Sequence, residues 1–255
     1  MAAEAQSRAL RGVDLLRDIE ATHDARLGRQ SPLRTRLRCE AIELLRAEEL
    51  LAAAYCYAVV PLEAPPAEWL RAGGEALLAP RLLPEAGQLT ALACAVCTLG
   101  SRLEARVSAL FAERRAALAL TLDDLGNELL FAAARRAQDG ILADVQRRGL
   151  CMAGELRAGD PGLALEAQGA VLRLAQSERI AVQLTGGHLM HPLKSTSMLL
   201  GVGIDLPPVR WSRCDECPRR DKCKAVARTA ALQVAAESAA SAAPAHPAAH
   251  AAHAG

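Results

Sequence analysis

Apolar positions recur along the chain in two rhythms. Between residues 3 and 22, Leu10, Val13, Leu16 and Ile19 return every three residues with Arg and Asp between them, which predicts an amphipathic helix. Ser31 and Pro32 break the pattern. Residues 35–54 resume it, with Leu37, Ile42, Leu45, Leu50 and Leu51 as the apolar stripe of a second helix. Residues 55–60 are a short strand-forming run closed by a Pro-containing segment that ends at Pro66, and residues 67–79 read as a short helix interrupted by Gly73 and Gly74. Residues 88–99 form a β-compatible run before Gly100. Two long helical patterns follow at 101–118 and 121–149, the second with Thr121 as its cap and Asp123 and Asp124 in its first turn. Residues 150–162 are irregular, and residues 164–177 are helical again through Leu165, Val171, Leu172 and Leu174. Ile180, Val182 and Leu184 then alternate with polar residues before Gly186 and Gly187, and a second strand at 195–203 completes a predicted hairpin.

Composition narrows this picture. A chain of 255 residues that is 51% hydrophobic can bury a sizeable core, but aromatics are only 2%, so Ala, Leu and Val must fill it through close approach of helices and sheet. A net charge of +1 gives no case for nucleic acid or an acidic membrane surface as partner. The eight cysteines follow an N-terminus without a basic and then apolar signal segment, so the reading is cytoplasmic and reducing. No apolar run reaches the roughly 18 to 20 residues of a membrane-spanning helix, and a soluble protein is expected. Residues 225–238 read as an alanine-rich helix. Residues 239–255 are low-complexity Ala, Pro and His, expected to be disordered, with His246, His250 and His253 solvated.

The candidate chemistry is concentrated late in the chain. Cys214, Cys217 and Cys223 form a C-x2-C-x5-C array in a charged loop, where thiolates can converge on a metal or cluster. Arg213, Arg219, Arg220, Lys222 and Lys224 would lower thiol pKa values and offset a cluster's negative charge, which favours iron–sulfur over zinc. Cys151, His188, His191, a partner group or solvent are the candidates for a fourth ligand. The spacing differs from the C-x3-C-x2-C of radical S-adenosylmethionine enzymes. Cys94 and Cys97 share the C-x2-C spacing, but residues three apart on a strand face opposite ways, and they read as core, as do Cys39 and Cys56. Asp123, Asp124 and Glu128 could line a site, although acids in a first turn more often complement the helix dipole. Arg157, Gly159, Asp160, Pro161 and Gly162 compose either a loop that lets backbone approach a ligand or a surface turn. On the strand at 195–203, Ser195 and Ser197 share one face and Lys194, Thr196 and Met198 the other, so one polar pair can line a cleft. Lys194 is either a carboxylate- or phosphate-binding group or a solvated edge lysine, and His188 and His191 read as surface or packed residues.

The order of pieces carries a resemblance. CTLGSRLEARVSAL, LDDLGNELLFAAARR, ELRAGDPG and IAVQLTGGHLMHPLKSTSMLLGVG are similar to the activation (reactivation) domain of cobalamin-dependent methionine synthase, and closer to stand-alone proteins that join such a domain to a C-terminal cysteine cluster. The resemblance spans residues 88–223. It implies an α+β fold: a single helix-rich domain with a mostly antiparallel sheet. The expected organisation is an extension at 1–87 packed on a core at 88–212, a cysteine knuckle and helix at 213–238, and the tail at 239–255. It also implies S-adenosylmethionine as ligand, docking on a corrinoid (cobalamin) protein or methyltransferase, and reduction of cob(II)alamin coupled to methyl transfer. Arg157, Pro161 and Gly162 resemble the loop that cradles S-adenosylmethionine, and Met190, Pro192, Ser195 and Ser197 the strand pair beside it, with Lys194 among them. Two positions depart from the pattern: Leu163 stands where the family has an aromatic residue, and Phe131 where it has an acid.

Two functional classes follow. One is a redox or reactivation factor whose cluster passes an electron to cobalt. The other is a non-enzymatic binding module in which zinc at the same cysteines is structural. A thiol sensor is a third. Hydrolytic and phosphoryl-transfer catalysis are without support, since no triad, phosphate loop or paired-carboxylate motif is present.

Overall fold

A computed structural model describes residues 4–23 and 31–207, which belong to one compact unit, Met1–Ser212; the cysteine knuckle and the tail lie outside the described residues. In chain order the elements are β1 (Gln6–Ala9), α1 (Gly12–His23), α2 (Pro32–Ala47), β2 (Ala54–Pro61), β3 (Trp69–Ala72), β4 (Glu75–Leu78), β5 (Gln88–Thr98), α3 (Arg102–Ala112) and α4 (Ala116–Gln146). They continue with β6 (Cys151–Leu156), α5 (Gln168–Ala175), β7 (Gln183–Leu184), β8 (Met190–His191) and β9 (Ser195–Ile204).

The central sheet is antiparallel throughout, in the order β1-β2-β5-β9-β6. β5 and β9 sit inside it and are buried on both faces, which explains why β5 reads as a continuous apolar run and not an alternating one. On one face Ala93, Ala95 and Cys97 of β5 and Met198, Leu200 and Val202 of β9 meet α1 to α4. On the other, Leu92, Cys94 and Val96 with Leu199 meet α5 and the β3–β4 hairpin. Ala132, Ala133, Ala134 and Ala137 of α4 are all buried, so small side chains bring this long helix close to the sheet where aromatics are scarce.

Several expected elements differ. The segment at 67–79 is a β-hairpin, not a helix: Gly73 (φ +57°) and Gly74 (φ +79°) both adopt left-handed backbone, the signature of a type I′ turn. A four-residue strand, β1, precedes the first helix and forms the sheet's edge. α2 starts at Pro32, where Ser31 Oγ accepts the Arg34 N–H at 3.4 Å, and it stops at Ala47, short of the expected end at 54. α4 begins five residues before Thr121, whose hydroxyl donates back to the Ala117 carbonyl at 2.8 Å; Thr121 is no cap, and Asp123 and Asp124 are not in the first turn. The strand at 195–204 does not pair with 180–184. It pairs with β5 and β6, while β7 and β8 form a separate two-stranded ribbon. Cys39 is exposed, because its position on α2 faces away from the core, whereas Cys56, Cys94 and Cys97 are buried.

Candidate functional site

β6 delivers Arg157 into a tightly closed loop. The Arg157 N–H donates to Asp160 Oδ2 at 3.0 Å and the Asp160 N–H returns to the Arg157 carbonyl at 2.9 Å. The Gly159 N–H donates to the Leu163 carbonyl at 2.9 Å. Gly162 has φ +92°, and a Cβ there would stand 2.8 Å from Cδ of Arg81, so the Pro161–Gly162 turn is held against the Arg81 side chain. Leu163 is buried and packs in the core on the α5 side of the sheet.

The Arg157 side chain leaves this loop toward α4. Its Nε donates to Glu155 Oε1 at 2.7 Å, Nη1 donates to Thr196 Oγ1 at 3.2 Å, and the guanidinium lies 5.7 Å from the ring centroid of Phe131. Two residues earlier on the same face of the chain, Lys194 Nζ donates to Asn127 Oδ1 at 2.8 Å and pairs with Asp123 Oδ1 at 2.7 Å. Asp123, Asn127 and Phe131 recur at intervals of four on α4, so one helix stripe receives both cations. The cleft thus gathers two cations, Lys194 and Arg157, two carboxylates, Asp123 and Glu155, a hydroxyl, an amide and an aromatic ring. The set is charge-balanced because its charges pair with one another, Lys194 with Asp123 and Arg157 with Glu155.

The polar pair that meets this cleft is Thr196 of β9 and Lys194, the residue immediately before that strand. Ser195 and Ser197 share the opposite face, where both are buried, and Ser195 Oγ donates to Thr98 Oγ1 at 2.8 Å. Lys194 is only 9% exposed, which excludes the solvated edge lysine. Met190 pairs with Leu184 in the small ribbon, and Pro192 follows a cis peptide bond from His191. His191 Nδ1 lies 3.5 Å from Glu104, which also accepts the Leu193 N–H at 2.6 Å, while the His188 carbonyl accepts from Gln168. Glu128 is taken up by a bidentate pair with Arg38, at 2.8 and 3.1 Å, and so ties α4 to α2 outside the cleft. Thr196, Glu155, Asn127 and Arg81 are not among the expected site residues, although the first three fall inside the runs IAVQLTGGHLMHPLKSTSMLLGVG, ELRAGDPG and LDDLGNELLFAAARR respectively. The spacing of four between Asp123, Asn127 and Phe131 is the signal that points to the first stripe.

Among the described residues no group of three or more His, Cys, Asp and Glu side chains could hold a metal ion. Cys214, Cys217 and Cys223 lie outside these residues. Burial pushes the thiols of Cys56, Cys94 and Cys97 up to about 12; for Cys97 the positive charge of Arg157 opposes the rise. A separate groove of about 390 Å³ beside Leu16, Leu45 and Leu51 carries Arg46 and Arg102, already paired with Glu20 and the Glu49 carbonyl respectively. No helix of the described residues is long and apolar enough to cross a membrane.

Helices over one face of a five-stranded antiparallel sheet, with a shorter helix and a hairpin over the other, define an α+β domain. Its fold is that of the MetH reactivation domain. A crystal structure of that domain bound to AdoHcy matches with a TM-score of 0.59 over 83% of this chain and 81% of that one, at 14% sequence identity. No protein-family model matches the chain, and no curated protein matches it.

Proposed function

We propose that the protein is a reactivation partner of a corrinoid-dependent methyltransferase and binds S-adenosylmethionine in the Arg157 cleft. The observation that supports this most is the balanced charge set around Arg157, on a fold whose MetH counterpart has been seen with AdoHcy. A zwitterionic amino-acid group needs both a cation and a carboxylate within reach, and it would exchange into the Lys194–Asp123 and Arg157–Glu155 pairs, which hold two of each. Backbone bonds among Arg157, Gly159, Asp160 and Leu163 close the loop that aims Arg157, the Pro161–Gly162 turn packs at its tip against Arg81, and Phe131 supplies an apolar face. When bound, S-adenosylmethionine would supply a methyl group to cobalt after one-electron reduction of cob(II)alamin on the partner. Leu189 and Leu193, 59% and 64% exposed beside the cleft's strand, offer apolar surface on which a corrinoid protein could dock. The electron would come through an iron–sulfur cluster at Cys214, Cys217 and Cys223.

Isothermal titration of the full chain with S-adenosylhomocysteine tests the ligand. Saturable binding to one site is expected, weakened at least tenfold in Arg157→Met. Absence of binding to the wild-type chain would overturn the ligand assignment.

A further inference from the structure

We infer that Lys194 is the specificity-determining residue of this cleft: it reads the carboxylate of the bound ligand, and the helix glycine Gly126 exists to let it do so. This rests on the reading of the cleft as a site for an amino-acid-bearing nucleoside.

Three observations place Lys194. Its ammonium has three donors; Asn127 and Asp123 accept two, and the third has no partner among the described residues. The Lys194 side chain is 11% exposed, whereas Asp123 is 43% exposed, so the pair stands at the cleft's mouth with the cation on the inner side. A buried ammonium needs an acceptor for each donor, and a ligand carboxylate is the acceptor that completes the set.

Gly126 is the second element of the device. It lies mid-helix in α4, where glycine is less favourable than alanine. A Cβ at this position would stand 3.1 Å from Cε of Lys194 and 3.1 Å from Cδ2 of Leu103. The missing side chain therefore lets the lysine stem lie close against α4 on its way to Asp123 and Asn127.

Thr196 fixes the third point. It follows Lys194 by two residues on the same strand face, roughly 6.5 to 7 Å along the chain, and receives Arg157 Nη1 at 3.2 Å. Arg157 thus reaches a hydroxyl on the strand face that also carries Lys194, and the Lys194–Asp123 and Arg157–Glu155 pairs present a cation and a carboxylate each to the α-carboxylate and α-amino groups of one ligand.

The test measures affinity of the full chain for S-adenosylhomocysteine and for 5′-methylthioadenosine, which keeps the nucleoside and thioether but lacks the amino-acid group. The wild type is expected to prefer S-adenosylhomocysteine. Lys194→Met should lower that affinity about tenfold and leave 5′-methylthioadenosine unchanged, collapsing the preference. Gly126→Ala retains the lysine but displaces its stem, and should lower the preference several-fold; it carries the test if Lys194→Met does not fold. Equal losses for both ligands, or no loss in either variant, would overturn the role of Lys194 while leaving the cleft as a nucleoside site. A wild type that binds neither ligand would overturn the ligand assignment itself, and this inference with it.

Discussion

At the scale of single residues, buried thiols set a measurable pH response. Cys94 is fully buried on β5 and its thiol is pushed up from 9.0 to about 12 by loss of solvent. The folded state therefore holds its proton where the unfolded chain releases it. The corresponding stability is complete below about pH 9 and falls as pH rises toward 12, by roughly 1.4 kcal/mol per pH unit for each such thiol. Urea unfolding at pH 8, 9.5 and 10.5 should show this decline, and Cys94→Ala should flatten it by about the share of one thiol. An unchanged slope would mean that the thiol is not protonated in the way its burial implies. The same burial keeps Cys56, Cys94 and Cys97 slow toward alkylation in native protein at pH 8, whereas exposed Cys39 should react faster than these three. Residue scale is also where sequence was least informative about the cleft. Strand parity shows that Ser195 and Ser197 share a face and that Lys194 and Thr196 share the other, but nothing in parity says which face meets α4. Arg157 was visible because its loop is rich in Gly, Pro and Asp. Its partner Thr196 was not, because the sheet register brings it there across 39 residues; Glu155 stands only two residues before Arg157, but nothing in that spacing says that its carboxylate turns to the guanidinium.

At the scale of elements, the apolar run at 88–99 identified β5, the strand-forming residues at 55–60 identified β2 and the helical pattern at 121–149 most of α4, whereas other short segments were ambiguous. Residues 67–79 contain Leu70, Ala72, Leu77 and Ala79, all buried, and an alternating pattern on each side of Gly73 and Gly74. Two glycines in succession were read as a break in a helix, yet they form the turn itself, and that choice decides between a helix and a hairpin. Gly74 has φ +79° and open space around its Cα, so Gly74→Asn should be nearly neutral, while Gly74→Val should cost on the order of 1–2 kcal/mol from the left-handed backbone alone. Chemical denaturation of both variants checks this. A costly Asn variant would indicate that the turn is not governed by backbone conformation. The 180–203 hairpin failed for a different reason. The alternation at 180–184 is real, but β5 and β6 offer β9 longer apolar partners than two residues of β7 can, and the strand was captured by the sheet.

At the scale of the whole molecule, the cleft and the cysteine array are separate parts of the chain, and the proposed function needs both. The cleft is built entirely from β6, its loop, β9 and α4. Cys214, Cys217 and Cys223 follow that unit in sequence and share no residue with the cleft. Ligand binding and electron delivery should therefore separate under mutation. Protein prepared without oxygen is expected to be brown, to contain iron and sulfide, and to bleach with dithionite. Cys214→Ser combined with Cys217→Ser should remove the colour and the reduction of cob(II)alamin on a partner corrinoid protein, yet bind S-adenosylhomocysteine with wild-type affinity. Lys194→Met should do the converse, keeping the colour while losing ligand preference. A colourless protein holding about one zinc would end the electron-transfer role. The cleft would then remain as a ligand site on a reactivation-domain fold, with the cysteines serving to stabilise the chain and reduction left to another protein.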